Sequence, residues 1–128
     1  MTTINAQANL TGVSDLLQVI SPEVRLEILL AIGTGEVCVC HLETGLGYRQ
    51  AYISQHLMAL REAGLLSTRR EGKYIHYRLD RLGILEVVEL AARLAGVDTS
   101  VVAERVKLAR ASCDCPDCCP QVVNQGTA

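Results

Sequence analysis

The sequence predicts a mainly α-helical domain that carries a small two-stranded β wing. Three observations predict it. Apolar residues make up 49% of the 128 residues, yet there is no Trp, no Phe and only four Tyr. The core must therefore be aliphatic, which favours helices packed on helices. Apolar positions recur at helical spacing through most of the chain. The period then switches to alternation on either side of Glu71-Gly72, a hairpin turn signal. A chain of this length has room for one such domain and a tail.

The elements follow in order. Residues 1–12 read as a flexible N-terminal arm, and residues 13–20 as a short apolar helix. Ser21-Pro22-Glu23 supplies an N-cap, a proline for the first helical position and an acid for the first turn. The helix over 24–32 is apolar on most faces, ends at Gly33 and should be the central core helix. A third helix starts between residues 36 and 39 and runs to about residue 46. Gly45 inside it costs about 1 kcal/mol relative to Ala, so packing must hold it.

Gly47 and Tyr48 make a turn. A fourth helix spans 49–63, with Ile53, Leu57 and Leu60 spaced to face the core and Gly64 as its stop. Strands over 65–70 and 73–79 form the wing, with His76 expected to face outward. The helix over 82–94 (Leu85, Val88 and Ala92 on one stripe) is more apolar than so small a domain can cover. It predicts a homodimer through the terminal helices. Residues 13–96 thus form the main domain, 97–111 an additional helix and 112–128 a Cys-rich C-terminal tail.

Charge and composition narrow the functional class. The net charge is -2, but residues 49–81 hold seven basic side chains (Arg49, Arg61, Arg69, Arg70, Lys73, Arg78, Arg81) against three acids. A local basic face on an acidic body suits a phosphate footprint, with a solvated charged surface as the plain alternative. No apolar run reaches the roughly 18 residues of a membrane span. The N-terminus lacks a basic-then-apolar signal pattern, so a cytoplasmic location is expected. There is no nucleophile–base pair, Gly-rich phosphate loop or carboxylate dyad, and no enzyme is expected. Six cysteines in such a chain point to metal or redox chemistry. They are Cys38 and Cys40, then Cys113, Cys115, Cys118 and Cys119 in a C-x-C-x-x-C-C tail.

Helix, helix, helix-turn-helix, wing, helix is the winged helix-turn-helix order, and four blocks of sequence narrow it. Residues 21–29 (SPEVRLEIL) resemble the S-x-x-R-L-x-I-L opening of the ArsR/SmtB family of metal-responsive repressors. Residues 36–42 (EVCVCHL) resemble its E-L-C-V-C-D-L box, and residues 53–66 its recognition segment. Arg69-Arg70-Glu71-Gly72-Lys73 with Tyr77-Arg78-Leu79 resembles its wing. The likeness covers about residues 13–95. It implies a homodimer that binds double-stranded operator DNA and leaves it when an inducing metal or metalloid binds.

Several positions depart from the family pattern. His41 replaces the usual Asp. Glu43 stands where arsenic-sensing members place a third Cys. The arm holds no Cys, and the last helix lacks the Asp/His and His/Glu pairs of zinc-sensing members.

Thiolates select soft ions, here arsenic(III), cadmium or lead, with zinc next. Two sulfurs are too few for such a site, so Cys113, Cys115, Cys118 and Cys119 either complete it or form a site of their own. The plain readings are a pair of buried small hydrophobes at Cys38 and Cys40 and a thiol-rich scavenging tail. In a regular helix, residues two apart project about 200° from each other. Both sulfurs would then reach one ion only by unwinding the first helical turn. A thiol-based redox or reactive-sulfur sensor of the same fold is the alternative function. His41 reads as a solvated surface residue, with ligation as the alternative. The candidate DNA contacts are Arg49, Gln50, Tyr52, Ser54, Gln55 and His56 on the fourth helix, and Arg69, Arg70 and Lys73 on the wing.

Overall fold

The computed structural model describes residues 10–112, with side chains to residue 109. Its elements are α1 (Leu10–Ile20), α2 (Glu23–Ile32), β1 (Glu36–Cys38), α3 (Val39–Leu46) and α4 (Gln50–Glu62). They continue with β2 (Leu66–Glu71), β3 (Tyr74–Leu79), α5 (Gly83–Ala95) and α6 (Ser100–Ser112).

α2 is the central helix. Ile28 and Leu29 are fully enclosed, and Val24 and Ile32 nearly so. Around them pack Leu42 and Leu46 of α3, Ile53, Leu57 and Leu60 of α4, Ile84 and Val88 of α5, and Val106 of α6. Each enclosed Leu or Ile contributes about 1.5–3 kcal/mol relative to an exposed one. The i, i+4, i+7 spacing of Ile53, Leu57 and Leu60 turns one face of α4 inward and leaves Gln55, Met58 and Arg61 outside.

The structure departs from the sequence reading in three places that matter. First, the sheet has three strands, in the order β1-β3-β2. Glu36, Val37 and Cys38 pair antiparallel with Arg78, Tyr77 and His76. The third helix therefore begins at Val39, because Val37 satisfies its backbone against β3 while its side chain enters the core. Second, the wing turn falls on Gly72 and Lys73, since Glu71 still pairs with Tyr74. Third, Ser21 does not cap α2. Its hydroxyl donates backward to the Gln18 carbonyl at the end of α1, and Pro22 takes the N-cap position. α1 also starts at Leu10, three residues before the expected start.

α6 lies on α2 and α3. A Cβ on Gly45 would come within 3.0 Å of the Val106 Cα, so the glycine lets the two backbones approach. This is the packing that its poor helix propensity called for. Arg105 reaches Glu27 at 3.8 Å, and Glu27 also accepts from Tyr48 just beyond α3. Val97, Asp98, Thr99, Val101 and Val102 line a cavity with α2 and α5, and Ala109 is buried. α6 therefore packs on α3 at Gly45. No helix among the described residues is long and apolar enough to cross a membrane.

Candidate functional site

The site is built at the β1–α3 junction. Cys38 ends the strand with φ -95° and ψ 162° and is also the N-cap of α3. An N-cap side chain folds over the first turn toward the third helical residue. Here that residue is His41, and Cys38 Sγ lies 3.8 Å from His41 Nδ1. Cys40 is the second helical residue. Cys38 and Cys40 are joined by a disulfide, with their Cα atoms 5.5 Å apart. The 200° opposition expected of a regular helix does not arise, because only Cys40 is helical. The unwound start that was expected as a consequence of metal binding is part of the resting fold.

Donor atoms of Cys38, Cys40 and His41 all lie within 4.8 Å of one another. His41 is only 1% exposed, so the solvated reading is overturned. It shares a face of α3 with Gly45, four residues on, and α6 packs against that face. His76, expected to point outward, is likewise buried, at 2%. It sits opposite Cys38 in the β1–β3 register, on the inner strand that β1 converts from edge to centre. Its Nε2 is 3.9 Å from Glu71 Oε1.

A groove of about 320 Å³ joins this junction to the surface. Cys38 and Cys40 share its walls with Gln50 and Ser54 of α4 and with Lys73 and Tyr77 of the wing. The link from α3 to α4 is three residues long. Gly47 adopts the left-handed conformation (φ 79°), and the Tyr48 hydroxyl donates to Glu27 Oε1 at 2.8 Å. That bond, with burial and the nearby Glu27 and Glu23 charges, pushes the Tyr48 pKa up to about 12. Tyr48, Tyr52 and His56 stack in sequence, with ring centroids 5.3 and 4.7 Å apart.

On α4, Arg49, Gln50, Tyr52 and Gln55 are exposed, while Ser54 and His56 are half-buried. His56 Nδ1 accepts from Arg25 Nε at 3.0 Å, and Arg25 Nη1 donates to the Val19 carbonyl at 2.8 Å. Burial first, and then the Arg25 charge, hold the His56 pKa below its ordinary value. Because Nδ1 accepts from Arg25, the bond as formed calls for the ring's proton on Nε2.

On the wing, Arg70 and Lys73 are exposed. Arg69 is engaged within the sheet. It pairs with Glu36 at 2.8 Å and Glu71 at 3.0 Å, tying β2 across to β1. The bond from Arg69 is the largest cause of the lowered Glu36 pKa. Cys113, Cys115, Cys118 and Cys119 lie outside the described residues.

Arg25, Glu36 and Val106 were not singled out from sequence. Arg25 belongs to the R-L block, and its conspicuous charge on a core helix was the available signal. Glu36 and Val106 gave none, since their roles depend on strand order and on where α6 lands.

The fold is a winged helix-turn-helix with a cysteine pair and a buried imidazole clustered at the start of its first turn helix. The chain belongs to the arsR family of bacterial regulatory proteins, whose description matches residues 22–68. It is 49% identical over 65 residues to the arsenical resistance operon repressor of Escherichia coli K12, covering 50% of this chain and 56% of that one. The match therefore spans little more than half the length of that relative. Over 88 residues it is 36% identical to the biofilm growth-associated repressor of Xylella fastidiosa Temecula1, covering 69% and 77%. The crystal structure of the repressor BigR from Xylella fastidiosa superposes with a TM-score of 0.65 at 34% identity, covering 73% and 96%.

Proposed function

We propose that this protein is a homodimeric transcriptional repressor that leaves its operator DNA when a thiophilic ion binds the Cys38 and Cys40 thiolates. One observation carries the reading. Cys38 and Cys40 of the Cys38–Cys40–His41 cluster wall the same groove as Gln50, Ser54 and Lys73, so input and output chemistry share one surface. Soft thiolate ligands select arsenic(III), cadmium or lead, with zinc next. The E. coli relative is named for arsenical resistance, which favours the same class.

The α4 helices of the dimer enter successive major grooves about 34–36 Å apart. Gln50 and Gln55 pair with adenine edges, and Arg49 with guanine or phosphate. Arg70 and Lys73 hold phosphates, while Arg69 braces the wing that presents them. Dimerisation uses α1 and α5, where Leu10, Val13 and Leu17, and Val87, Leu90 and Leu94, are exposed at i, i+3, i+7 spacing. The location is the cytoplasm, where the DNA is. The role is regulatory, not enzymatic.

Occupation of the thiol pair shifts the start of α3, and the short link passes that shift to α4. Moving a population from 1:99 to 99:1 takes about 5.5 kcal/mol of differential affinity, within reach of thiolate–metal binding. In a shared site, the tail cysteines supply the further sulfurs that two thiolates lack.

The test is fluorescence anisotropy of the reduced dimer on its upstream DNA, with a reductant that does not chelate metals. Arsenite, cadmium, lead and zinc are added in turn. The chains compared are the full chain, Cys38→Ser/Cys40→Ser, and a chain with its four tail cysteines changed to Ser. Release of the full chain but not of the Cys38/Cys40 variant is expected. Release of that variant as well would move the sensor elsewhere.

The Cys38–Cys40 disulfide favours a second reading, a thiol-based sensor. Closing the pair sends two electrons and two protons to an oxidant such as a peroxide or a persulfide. If only an oxidant releases the DNA, and no ion does under reductant, this reading replaces the first.

A further inference from the structure

We propose that His41 is the third ligand beside Cys38 and Cys40, and that this two-sulfur, one-nitrogen set takes a divalent ion of zinc or cadmium type in preference to arsenite. The inference rests on the metal-responsive reading and narrows its input.

Because Cys38 is the N-cap, its sulfur is directed at the third helical residue, and His41 Nδ1 meets it at 3.8 Å. A tetrahedral ion with bonds of about 2.3 Å to sulfur and about 2.0 Å to nitrogen sets donor separations of about 3.5 Å between sulfur and nitrogen and about 3.8 Å between sulfurs. The Cys38–His41 pair, at 3.8 Å, stands within a few tenths of an ångström of the sulfur–nitrogen value. Glu43, which occupies the position of a third Cys in the sulfur-only pattern, lines the groove but is not part of the donor cluster.

Ligand type then decides the ion. Arsenite takes three sulfurs in a pyramid. Imidazole with thiolates suits zinc and its heavier congener, leaving one of four positions for solvent or a tail thiolate. Burial of His41 within the core holds the ring in place before any ion arrives.

The ligating form is the reduced pair. A phosphine reductant gives two electrons to the disulfide and takes the oxygen of one water as its oxide, that water supplies the two thiol protons, and metal binding then expels them.

The test uses the full-length, reduced, ¹⁵N-labelled chain with cadmium-113, zinc and arsenite as probes. In the histidine ¹H–¹⁵N spectrum, one equivalent of cadmium-113 should shift the His41 Nδ1 signal and split it by coupling to the metal. His56 and His76 should not split. His41→Gln should weaken cadmium binding at least tenfold and change arsenite binding less than twofold. His41→Cys, which restores a third sulfur, should raise arsenite affinity at least tenfold. It keeps the test open should His41→Gln fail to fold, and the spectrum of the unaltered chain needs no variant at all. Cadmium binding with an unsplit His41 signal overturns the inference and leaves the metal-responsive reading standing. Failure of the reduced chain to bind any of the three ions overturns both.

Discussion

α3 and α4 are consecutive helices joined by Gly47, Tyr48 and Arg49, and they are built to opposite rules. α3 keeps its chemistry inside. Cys38 at its cap and His41 in its first turn are almost fully enclosed, and α6 closes over Gly45. α4 keeps its chemistry outside. Ile53, Leu57 and Leu60 anchor it, and the opposite face presents Gln50, Tyr52 and Gln55. The difference teaches where a signal can originate. A change at an enclosed side chain displaces backbone, because close-packed interiors transmit strain. A change on the exposed face acts only through what that face touches.

Substitutions can break or sharpen that contrast. The largest expected effect is Leu57→Ala, which empties a fully buried position and should cost about 2–5 kcal/mol in urea unfolding. Gln55→Ala, two residues earlier on the exposed side, should stay within about 0.5 kcal/mol while weakening DNA binding. Equal effects of the two on stability would erase the distinction.

Next is Gly45→Val. Its Cβ would meet the Val106 backbone at 3.0 Å, and overpacking of this kind should cost about 1–3 kcal/mol. A neutral result in thermal unfolding would mean that α6 does not depend on close approach to α3.

On the exposed side, Arg70→Ala or Lys73→Ala should weaken binding to all DNA sequences alike, each lowering the salt slope by about 1. Arg69→Ala should differ from them. Its guanidinium already holds Glu36 and Glu71 and is half exposed, so water screens the pair and unfolding should change little. A salt slope changed as much as by Arg70→Ala would return Arg69 to the DNA contacts.

The smallest effect is the pH response of the tie between α2 and α4. The folded His56 pKa lies below the ordinary 6.5, so the unfolded chain binds more protons just below that value. Stability from the Arg25–His56 bond is present above pH 6.5 and is lost as pH falls through the folded pKa. His56→Gln should flatten that part of a stability-against-pH curve. An unchanged curve would show the bond to be unimportant.

Much of this architecture was legible in the sequence because it depends on local period. The apolar spacing of Ile53, Leu57 and Leu60 and the alternation across residues 65–79 each report one face at a time. The misread positions share a cause. Glu36 to Cys38 looked like the start of a helix because three residues carry no period. What makes them a strand is β3, some forty residues away. His41 and His76 were judged on their own elements, whereas α6 and β1 bury them.

By itself the sequence determined the helical class, the order of the elements and the thiol pair ahead of the turn, because chain-local periodicity and covalent spacing suffice for those. Only the tertiary structure decided that the pair straddles a strand end and a helix cap, that a histidine joins it, and that Arg69 braces the wing. Each depends on which distant segment arrives alongside. That is set by the balance of burial over the whole chain, not by any stretch within it.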